Sequence, residues 1–316
     1  MSPSAIPAKG PARRRRIVIT GGTGFVGREL LARLAGQEPG SELLVPTRRL
    51  SAARALAPLP NVVAVAADVH DPQAMAPILE GADALVHLVA VLHGDAARFE
   101  RVHVALTRQL ASGARAAGVA RVVHVSALGV AADAPSMYLR SKHAGELAWR
   151  DSGLAVTVLR PSVIFGAEDR FLNLFAQLQR VFPVMPLAGA DARFQPVWVG
   201  DVAEAIVRAL QAMPPLPPII ECAGPQEMTL RQIVQQAGLA SGHARPVLAL
   251  PAALGRVQAL LLGLLPGEPL MSADNLRSMQ VPNVASGLLP GLADIGIRPA
   301  SLSSWGHAPA SPSRRT

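Results

Sequence analysis

The chain has 316 residues, of which half are hydrophobic and only one, Cys222, is a cysteine. This composition predicts a globular protein, excludes an internal disulfide or a cysteine metal cluster, and makes Cys222 a small core residue. The net charge of +8 belongs to the two ends, because residues 1–16 carry +5 and residues 298–316 carry +3, which leaves 22 bases and 22 acids between them.

Basic ends on a neutral body are typical of flexible arms, with an acidic or membrane-surface partner as the alternative. Aromatic residues make up 3% of the chain, too few for base-stacking surfaces, so we expect no nucleic-acid partner. The apolar stretch 247–265 contains a proline, an arginine and a glutamine, which argues against a transmembrane segment. A helix predicted over Ala252–Leu265 is the candidate for docking on a membrane face or large partner, with core packing as the alternative. Because no secretory signal follows Arg13–Arg16, we expect a cytoplasmic protein.

Residues 1–16 are predicted to be a flexible basic arm, and the first element follows it directly. Ile17, Val18 and Ile19 indicate a buried strand, glycines at 21, 24 and 27 a tight turn, and the next residues a helix. A phosphate reaches the amides at a helix start only where no Cβ intervenes. We expect Gly21 to form the turn, Gly24 to allow the approach of the phosphate, and Gly27 to pack the helix against the strand.

The second strand, predicted over Glu42–Thr47, ends in Arg48 and Arg49. In dinucleotide-binding folds this strand end faces the adenosine ribose, where a carboxylate binds the 2′-hydroxyl of NAD and an arginine suits the 2′-phosphate of NADP. No acidic residue lies between residues 45 and 56. The sequence therefore favours NADP(H), with NAD(H) possible and a solvated arginine pair as the alternative.

The third strand, Val62–Ala66, precedes Asp68 and Val69. Asp68 is expected either to accept a hydrogen bond from the adenine amino group or to cap the helix that starts near Pro72. The elements predicted next are a strand over Ala82–Val91, a helix over Ala97–Gly118 and a strand over Arg121–Ser126. Nearly continuous apolar strands that alternate with helices predict an α/β fold, a Rossmann-type doubly wound parallel sheet.

A helix predicted to end near Trp149 contains Tyr138, the only tyrosine of the chain, and Lys142. Residues four apart share one helical face. An ammonium beside a phenol lowers the pKa of the phenol, which would make Tyr138 a usable proton donor near neutral pH. The lysine is also able to bind the ribose hydroxyls of a nicotinamide nucleotide.

The later chain predicts a smaller C-terminal α/β domain on the substrate side, over residues 167–297, after a Rossmann domain over residues 17–166 to which later segments return. Its predicted elements are helices over Phe171–Phe182, Asp201–Leu210 and Thr229–Leu239 and a strand over Ile219–Ala223. Asp201 and Thr229 are the expected helix caps. Residues 298–316 are predicted to be a flexible tail. The eight histidines show no metal-binding spacing, so we expect no metal.

The turn Thr20–Gly27, the Tyr138/Lys142 pair and the stretch Leu159–Gly166 resemble an extended short-chain dehydrogenase/reductase. The chain is more specifically similar to the atypical subgroup typified by the accessory NADPH-binding subunit of respiratory complex I. Four stretches carry that similarity: Val125–Gly129, Ser141–Glu146, Arg160–Asn173 and Arg193–Ala203.

The resemblance implies a bound NADP(H), with the pyrophosphate at the glycine turn, the 2′-phosphate near Arg48 and the nicotinamide half beside Tyr138. The expected cofactor-binding residues are Gly21, Thr23, Gly24, Phe25, Val26, Gly27, Arg48, Arg49, Asp68, Val69, Leu88, Val89, Ala90, Ser126, Tyr138, Lys142, Pro161, Ser162 and Val163. The expected catalytic residues are Tyr138, Lys142 and Ser126.

Two residues depart from the pattern of active members of the superfamily. The serine or threonine that holds a substrate oxygen aligns with Ala127, and the asparagine expected on the preceding helix is His103. A site that lacks positioned donors loses much of its rate advantage. The resemblance therefore implies an accessory or redox-sensing NADP(H)-binding role linked to respiratory complex I or ubiquinone metabolism, peripheral to the inner membrane. The alternative is an active NAD(P)-dependent oxidoreductase or epimerase/dehydratase that uses Tyr138 and Lys142.

Overall fold

The computed structural model describes residues 14–251 and 272–304, so the helix predicted over residues 252–265 lies outside the described residues. The strands are β1 (Arg16–Thr20), β2 (Glu42–Thr47), β3 (Val62–Ala66), β4 (Ala84–His87), β5 (Arg121–Val125), β6 (Val156–Pro161), β7 (Ile164–Phe165), β8 (Met185–Ala188), β9 (Arg193–Phe194), β10 (Val197–Trp198), β11 (Ile219–Cys222), β12 (Met228–Thr229) and β13 (Val247–Leu250). The helices are α1 (Phe25–Gln37), α2 (Pro72–Leu79), α3 (Ala96–Phe99), α4 (Leu106–Ala116), α5 (Met137–Arg150), α6 (Phe171–Val181), α7 (Val199–Gln211), α8 (Leu230–Ala240) and α9 (Ala273–Ser278). A π-helical segment, Glu100–Ala105, joins α3 to α4.

Within the described residues, seven strands form one parallel sheet in the order β11-β6-β5-β4-β1-β2-β3. The predicted doubly wound parallel sheet is confirmed. The direction in which strands are added reverses between β1 and β4, and in such sheets a ligand crevice forms at the carboxyl ends of the strands at that point. The glycine turn follows β1 and therefore lies at this crevice.

Helices cover both faces of the sheet, which explains why its central strands are apolar throughout. Ile17 and Ile19 of β1 pack into a core with residues of α1 and α7, such as Leu34 and Ile206. Val18, which points to the opposite face, packs into a second core that contains Trp149 of α5. A third cluster joins α6 and α8 to β8 and forms the core of the C-terminal part.

The fourth strand is shorter than the prediction of Ala82–Val91, because regular pairing ends at His87. The Leu88 amide still donates to the Thr20 carbonyl at 3.0 Å. The Val91 amide instead donates to the imidazole Nε2 of His103 at 3.1 Å. A side chain from the following helix thus replaces a sheet partner, and the segment after β4 turns along the crevice.

Of the two predicted helix caps in the C-terminal part, one is confirmed and one is wrong. Thr229 accepts from the Gln232 amide and forms a capping box at the start of α8. Asp201 does not cap α7, because this helix already begins at Val199. The Asp201 carboxylate accepts a 2.7 Å hydrogen bond from the Ala300 amide instead, so it holds a segment distant in sequence.

The sequence analysis placed residues 1–16 and 298–316 in flexible ends. The structure shows that some of these residues, including two at each end, contact the folded body. Arg15 pairs with Glu38 at 3.0 Å and donates to the Leu210 carbonyl, and Arg16 begins β1. Near the other end, Ala300 donates to Asp201 and Leu302 is buried in the C-terminal core. Long-range contacts of these residues, which composition cannot reveal, explain the difference.

Candidate functional site

The glycine turn after β1 has the geometry that its sequence predicts. Gly21 has φ +78°, a conformation that L side chains rarely adopt. A Cβ at Gly27 would lie 2.5 Å from the Cα and carbonyl oxygen of Gly22, so only glycine permits this packing of α1 against the turn. The Gly24 amide closes the turn on the Gly21 carbonyl at 2.9 Å. The conformation predicted for Gly21 and Gly27 is confirmed.

The N-terminus of α1 is suited to bind an anion. Gly24 occupies the cap position, and no side chain makes a capping hydrogen bond there. The first amides of a helix have no intrahelical acceptor, and the positive end of the helix dipole lies beside them. Arg28 donates to the Thr23 carbonyl at 2.7 Å and forms an ion pair with Glu168, which fixes the turn to a loop of the C-terminal part.

Arg48 and Arg49 lie on the surface at the carboxyl end of β2. Their side chains form no hydrogen bond or ion pair with any residue in the ranges that the structure describes. Both guanidinium groups are therefore available to an anionic group at the end of the crevice beside β2.

The loop after β3 contains Asp68, Val69 and His70. Asp68 accepts from the His70 amide at 3.0 Å, and Asp71, not Asp68, caps α2 by accepting from the Gln73 amide. Asp68 lies three residues before the cap position of α2, too far from the helix start to cap it. The capping alternative for Asp68 is therefore wrong. Burial lowers the pKa of His70, the neighbouring Asp68 acts in the opposite direction, and Arg48 and Arg101 add to the lowering. Asp68 and Arg48 are therefore both close enough to His70 to affect its pKa.

The segment after β4 runs directly beside the glycine turn. A Cβ at Gly21 would come within 3.1 Å of the Leu88 carbonyl carbon and the Val89 nitrogen. Ala90 is exposed at the crevice, while Leu88 and Val89 are half-buried. Two parts of the chain predicted to bind the same cofactor are thereby brought together, about 65 residues apart in sequence.

Lys142 lies on α5, and its ammonium is already bonded within the protein. Nζ donates to the Val125 carbonyl at the end of β5 at 2.7 Å, and the residue is 2% exposed. Burial lowers the pKa of Lys142 to about 8, although the nearby Glu146 carboxylate opposes the shift. Glu146 itself is bound by the Arg160 guanidinium through two hydrogen bonds of 3.0 and 2.5 Å.

Tyr138 lies one turn earlier on the same helix, and the predicted lowering of its phenol pKa is wrong. Burial raises the pKa of Tyr138 to about 12. The physical reason is that the phenol ring packs among apolar and aromatic groups, with the rings of Phe99 and His103 centred 6.2 and 5.7 Å away. The Lys142 ammonium, which is bound to a backbone carbonyl, does not offset this burial.

Ser126 and Ala127 follow directly after β5. The Ser126 hydroxyl is buried and has no hydrogen-bond partner among the described residues. Ala127 belongs to the small apolar cluster against which Tyr138 packs. Ala127 thus places a methyl group in the cluster of Tyr138, while Ser126 beside it has a hydroxyl without a partner among the described residues.

Pro161 ends β6 and its carbonyl accepts from the Leu128 amide at 2.9 Å, while polar groups of the next two residues, Ser162 and Val163, bind the C-terminal part. The Ser162 hydroxyl donates to the oxygens of Asn283 and accepts from the Gln195 amide, and the Val163 amide donates to Asn283 Oδ1 at 3.0 Å. Sequence reasoning did not assign Asn283 or Gln195 to the site: Gln195 lies in the stretch Arg193–Ala203 that carries the family similarity, but no role followed from that, and Asn283 is part of no motif.

A further residue missed by sequence reasoning is Asp274 of α9. Its carboxylate accepts from the Met137 amide at 2.9 Å and from the Tyr138 amide at 3.0 Å. Ser136 caps the same helix by accepting from the Leu139 amide. The carboxylate therefore neutralises the positive end of α5, beside the only tyrosine. An aspartate after a capping serine is a weak signal in sequence, and the partner helix was not predictable from it.

The observations at the crevice fit a dinucleotide. Side chains at Gly21 or Gly27 would block the turn, α1 begins without a side-chain cap, and two arginines lie uncommitted at the adenosine end. No group of three or more metal-ligating side chains occurs in the described part of the chain, and no helix there is long and apolar enough to cross a membrane.

Residues 17–220 match the NAD dependent epimerase/dehydratase family. Because the match covers more than half of the chain, this protein belongs to that family. The class is consistent with the strand order and with the glycine turn at the point of reversal.

Within the family, the chain is homologous to a subunit of a respiratory enzyme. It is 30% identical over 294 residues to mouse NADH dehydrogenase (ubiquinone) 1 alpha subcomplex subunit 9, mitochondrial, covering 90% of this chain and 76% of the relative. It is also 34% identical over 193 residues to ceramide reductase of Caulobacter vibrioides, covering 60% of this chain and 59% of that protein. The resemblance stated from the sequence motifs is confirmed.

Among solved structures, an NADPH-dependent quinone oxidoreductase from Escherichia coli, complexed with NADPH, has the same fold. The TM-score is 0.74, with 92% of this chain and 98% of the other covered. At 23% identity, this likeness supports the fold and nothing finer.

Proposed function

We propose that this protein binds NADP(H) in the crevice at the carboxyl ends of β1, β2 and β4 and has an accessory, structural or redox-sensing role linked to respiratory complex I or ubiquinone metabolism. The observation that carries the proposal is a contrast within one crevice. The glycine turn and the guanidinium groups after β2 are open, whereas the Lys142 ammonium, the Ser162 hydroxyl and the Val163 amide at the tyrosine end are bonded within the protein. The buried Ser126 hydroxyl at that end has no partner among the described residues.

Each open group has a role that its chemistry supports. The amides at the start of α1 bind the pyrophosphate, because the glycine turn allows the phosphate oxygens to approach them. Arg48 and Arg49 bind the 2′-phosphate, which distinguishes NADP(H) from NAD(H). The segment Leu88–Ala90 lies against the turn and borders the ribose of the nicotinamide half.

Binding is tested by anaerobic titration of the protein with NADPH and with NADH, followed by nicotinamide fluorescence. We expect tighter binding of NADPH. The double variant Arg48→Ala/Arg49→Ala should weaken NADPH binding at least tenfold and leave NADH binding within about twofold, because only the 2′-phosphate contact is lost. Arg150→Ala, an exposed arginine at the far end of α5, is the matched control. Equal loss for both nucleotides in the double variant would contradict the assignment of the 2′-phosphate.

The second candidate function is an oxidoreductase or epimerase/dehydratase that uses Tyr138 and Lys142. The observation in its favour is that both residues lie one turn apart on α5, with Lys142 at the end of β5. Bound nicotinamide would supply hydride transfer, Tyr138 would hold a proton at its phenol oxygen, and Lys142 would orient the nucleotide. The relative named ceramide reductase gives this alternative weaker support, since only 59% of that protein is covered.

Turnover distinguishes the two functions. The complex of protein and NADPH is incubated with quinones, nucleotide sugars and ceramides, and cofactor oxidation is followed at the nicotinamide absorbance. No oxidation, in wild type or Tyr138→Phe, supports the accessory role. Oxidation by wild type that Tyr138→Phe abolishes would establish the enzyme and overturn the accessory proposal.

The proposed partner is a respiratory membrane complex, by homology to the subunit 9 protein. Affinity-tagged full-length protein, isolated from gently solubilised membranes, should co-purify with NADH:ubiquinone reductase activity. Recovery of the protein without that activity, from membranes in which the activity is intact, would argue against this partner.

A further inference from the structure

The π-helical segment between α3 and α4 presents one buried histidine to two parts of the crevice. His103 is 3% exposed. Its Nε2 lies 3.1 Å from the Val91 amide nitrogen, in the segment after β4, and its Nδ1 lies 2.8 Å from the Ser141 hydroxyl on α5. The imidazole thus bridges the strand end that borders the glycine turn and the helix that contains Tyr138.

The chemistry of the partners determines the protonation state of this ring. A backbone amide only donates, so Nε2 must be the unprotonated acceptor, and a neutral ring then has its proton on Nδ1. Nδ1–H donates to the Ser141 oxygen, and the Ser141 hydroxyl donates to the Tyr138 carbonyl at 2.8 Å. The chain of donors runs in one direction from Val91 through His103 and Ser141 to Tyr138, and every member is satisfied.

The surroundings of His103 leave this arrangement little freedom. A Cβ at Gly145 would lie 2.4 Å from the His103 carbonyl oxygen, which shows how closely α5 packs against the π-helical segment. Thr107 donates to the same carbonyl at 2.8 Å. Burial lowers the pKa of His103 to about 3, with smaller contributions of the same sign from Lys142 and His87, so the ring is neutral at physiological pH.

We infer that His103, as a neutral Nδ1-protonated imidazole, is the positioning residue that holds the segment Leu88–Val91 in register with the Tyr138 helix and so shapes the nicotinamide half of the crevice. The inference rests on the proposed function for the identity of the ligand. It adds a residue that does not touch the cofactor and that acts through the Val91 amide and the Ser141 hydroxyl.

The tautomer is measured without any ligand. In long-range proton–nitrogen NMR spectra of histidine-labelled protein, with the His103 signals assigned by their loss in His103→Asn, we expect a protonated Nδ1 and an unprotonated Nε2. The signals should not change between pH 5.5 and pH 8. A protonated Nε2, or titration within that interval, would overturn the inference.

Three substitutions separate the two arms of the bridge. His103→Leu removes both hydrogen bonds and should weaken NADPH binding about tenfold. His103→Gln retains an acceptor near the Val91 amide and should stay within about threefold of wild type, while His103→Asn retains only the Ser141 side and should fall between the two. His243→Leu, in the turn after α8, where the ring contacts the Ser241 carbonyl, is the control.

A half-site probe, a ligand that fills only half of the crevice, distinguishes the positioning role of His103 from a general effect of the substitution on the fold. Adenosine 2′,5′-bisphosphate occupies only the adenosine half, so its affinity should stay within about twofold in His103→Leu while NADPH affinity falls. Equal weakening of both ligands, or unchanged NADPH affinity, would overturn the positioning role. If wild type binds neither ligand, the proposed function fails separately. The tautomer and the hydrogen-exchange protection of the Val91 amide, expected to be lost in His103→Leu, then decide the role of His103 by themselves.

Discussion

The two ends of the crevice differ in how much of their polar surface the protein uses itself. At the glycine-turn end, α1 starts without a side-chain cap, and the guanidinium groups of Arg48 and Arg49 have no partner among the described residues. At the tyrosine end, the Lys142 ammonium binds Val125, and the Ser162 hydroxyl binds Asn283. An open set of amides and cations binds an anion without rearrangement, whereas bonded groups must first exchange partners.

This difference is why we propose a binding role for a chain that has Tyr138 and Lys142 one turn apart on α5. Binding of an anion at the glycine-turn end requires only space and positive charge. Catalysis at the other end would require a phenol whose pKa lies near the working pH, and burial has raised the pKa of Tyr138 to about 12. The following substitutions test whether the two ends are as independent as this comparison implies.

The largest effect is expected at the open end, from Gly27→Ala. The added methyl would lie 2.5 Å from the backbone of Gly22, so the turn or the helix must move. We expect loss of detectable NADPH binding and a decrease of about 3 kcal/mol in the free energy of unfolding. Gly36→Ala on the same helix, where a Cβ meets nothing within 4 Å, should bind normally and gain about 0.5 kcal/mol. Calorimetric titration and urea unfolding measure both variants, and normal binding by Gly27→Ala would refute the role of the turn.

A smaller effect, dependent on pH, is expected at the closed end from Lys142→Met. The pKa of Lys142 is lowered from 10.5 to about 8, so between these values the folded protein releases a proton that the unfolded chain retains. The wild-type free energy of unfolding should therefore rise relative to Lys142→Met as the pH increases from 7 to 10, by about 2 kcal/mol. The difference between the two proteins removes contributions from Tyr138 and Cys222, whose raised pKa values act in the opposite direction. Parallel curves would mean that Lys142 ionises in the fold as it does in water.

The smallest effect is expected where the C-terminal part meets the tyrosine helix. Asp274→Ala leaves the Met137 and Tyr138 amides without their acceptor, while Ser136 still caps α5. We expect a loss of about 1 kcal/mol in the free energy of unfolding and unchanged affinity for adenosine 2′,5′-bisphosphate. Asp133→Ala, an exposed aspartate in the preceding loop, is the control. Weaker binding of the half-site probe by Asp274→Ala alone would show that the two ends are coupled.

Local patterns were sufficient for the parts of the site made by neighbouring residues. The alternation of apolar strands and helices predicted the parallel sheet, and glycines 21 and 27 predicted the turn, because backbone sterics act over a few residues. The same reasoning was wrong for the Asp201 cap and for the phenol pKa. Asp201 binds Ala300, 99 positions away, and burial around Tyr138 involves rings from another helix.

The sequence by itself determined the class of fold, the position of the glycine turn, the arginines after the second strand and the relationship to the subunit 9 proteins. Only the tertiary structure decided which polar groups of the site already form hydrogen bonds within the protein. Asp274 reaches the Tyr138 helix from 136 positions away, and Asn283 reaches Ser162 from 121. The physical reason is that hydrogen bonding and desolvation depend on which atoms meet in space, and these partners belong to segments without a local pattern of their own.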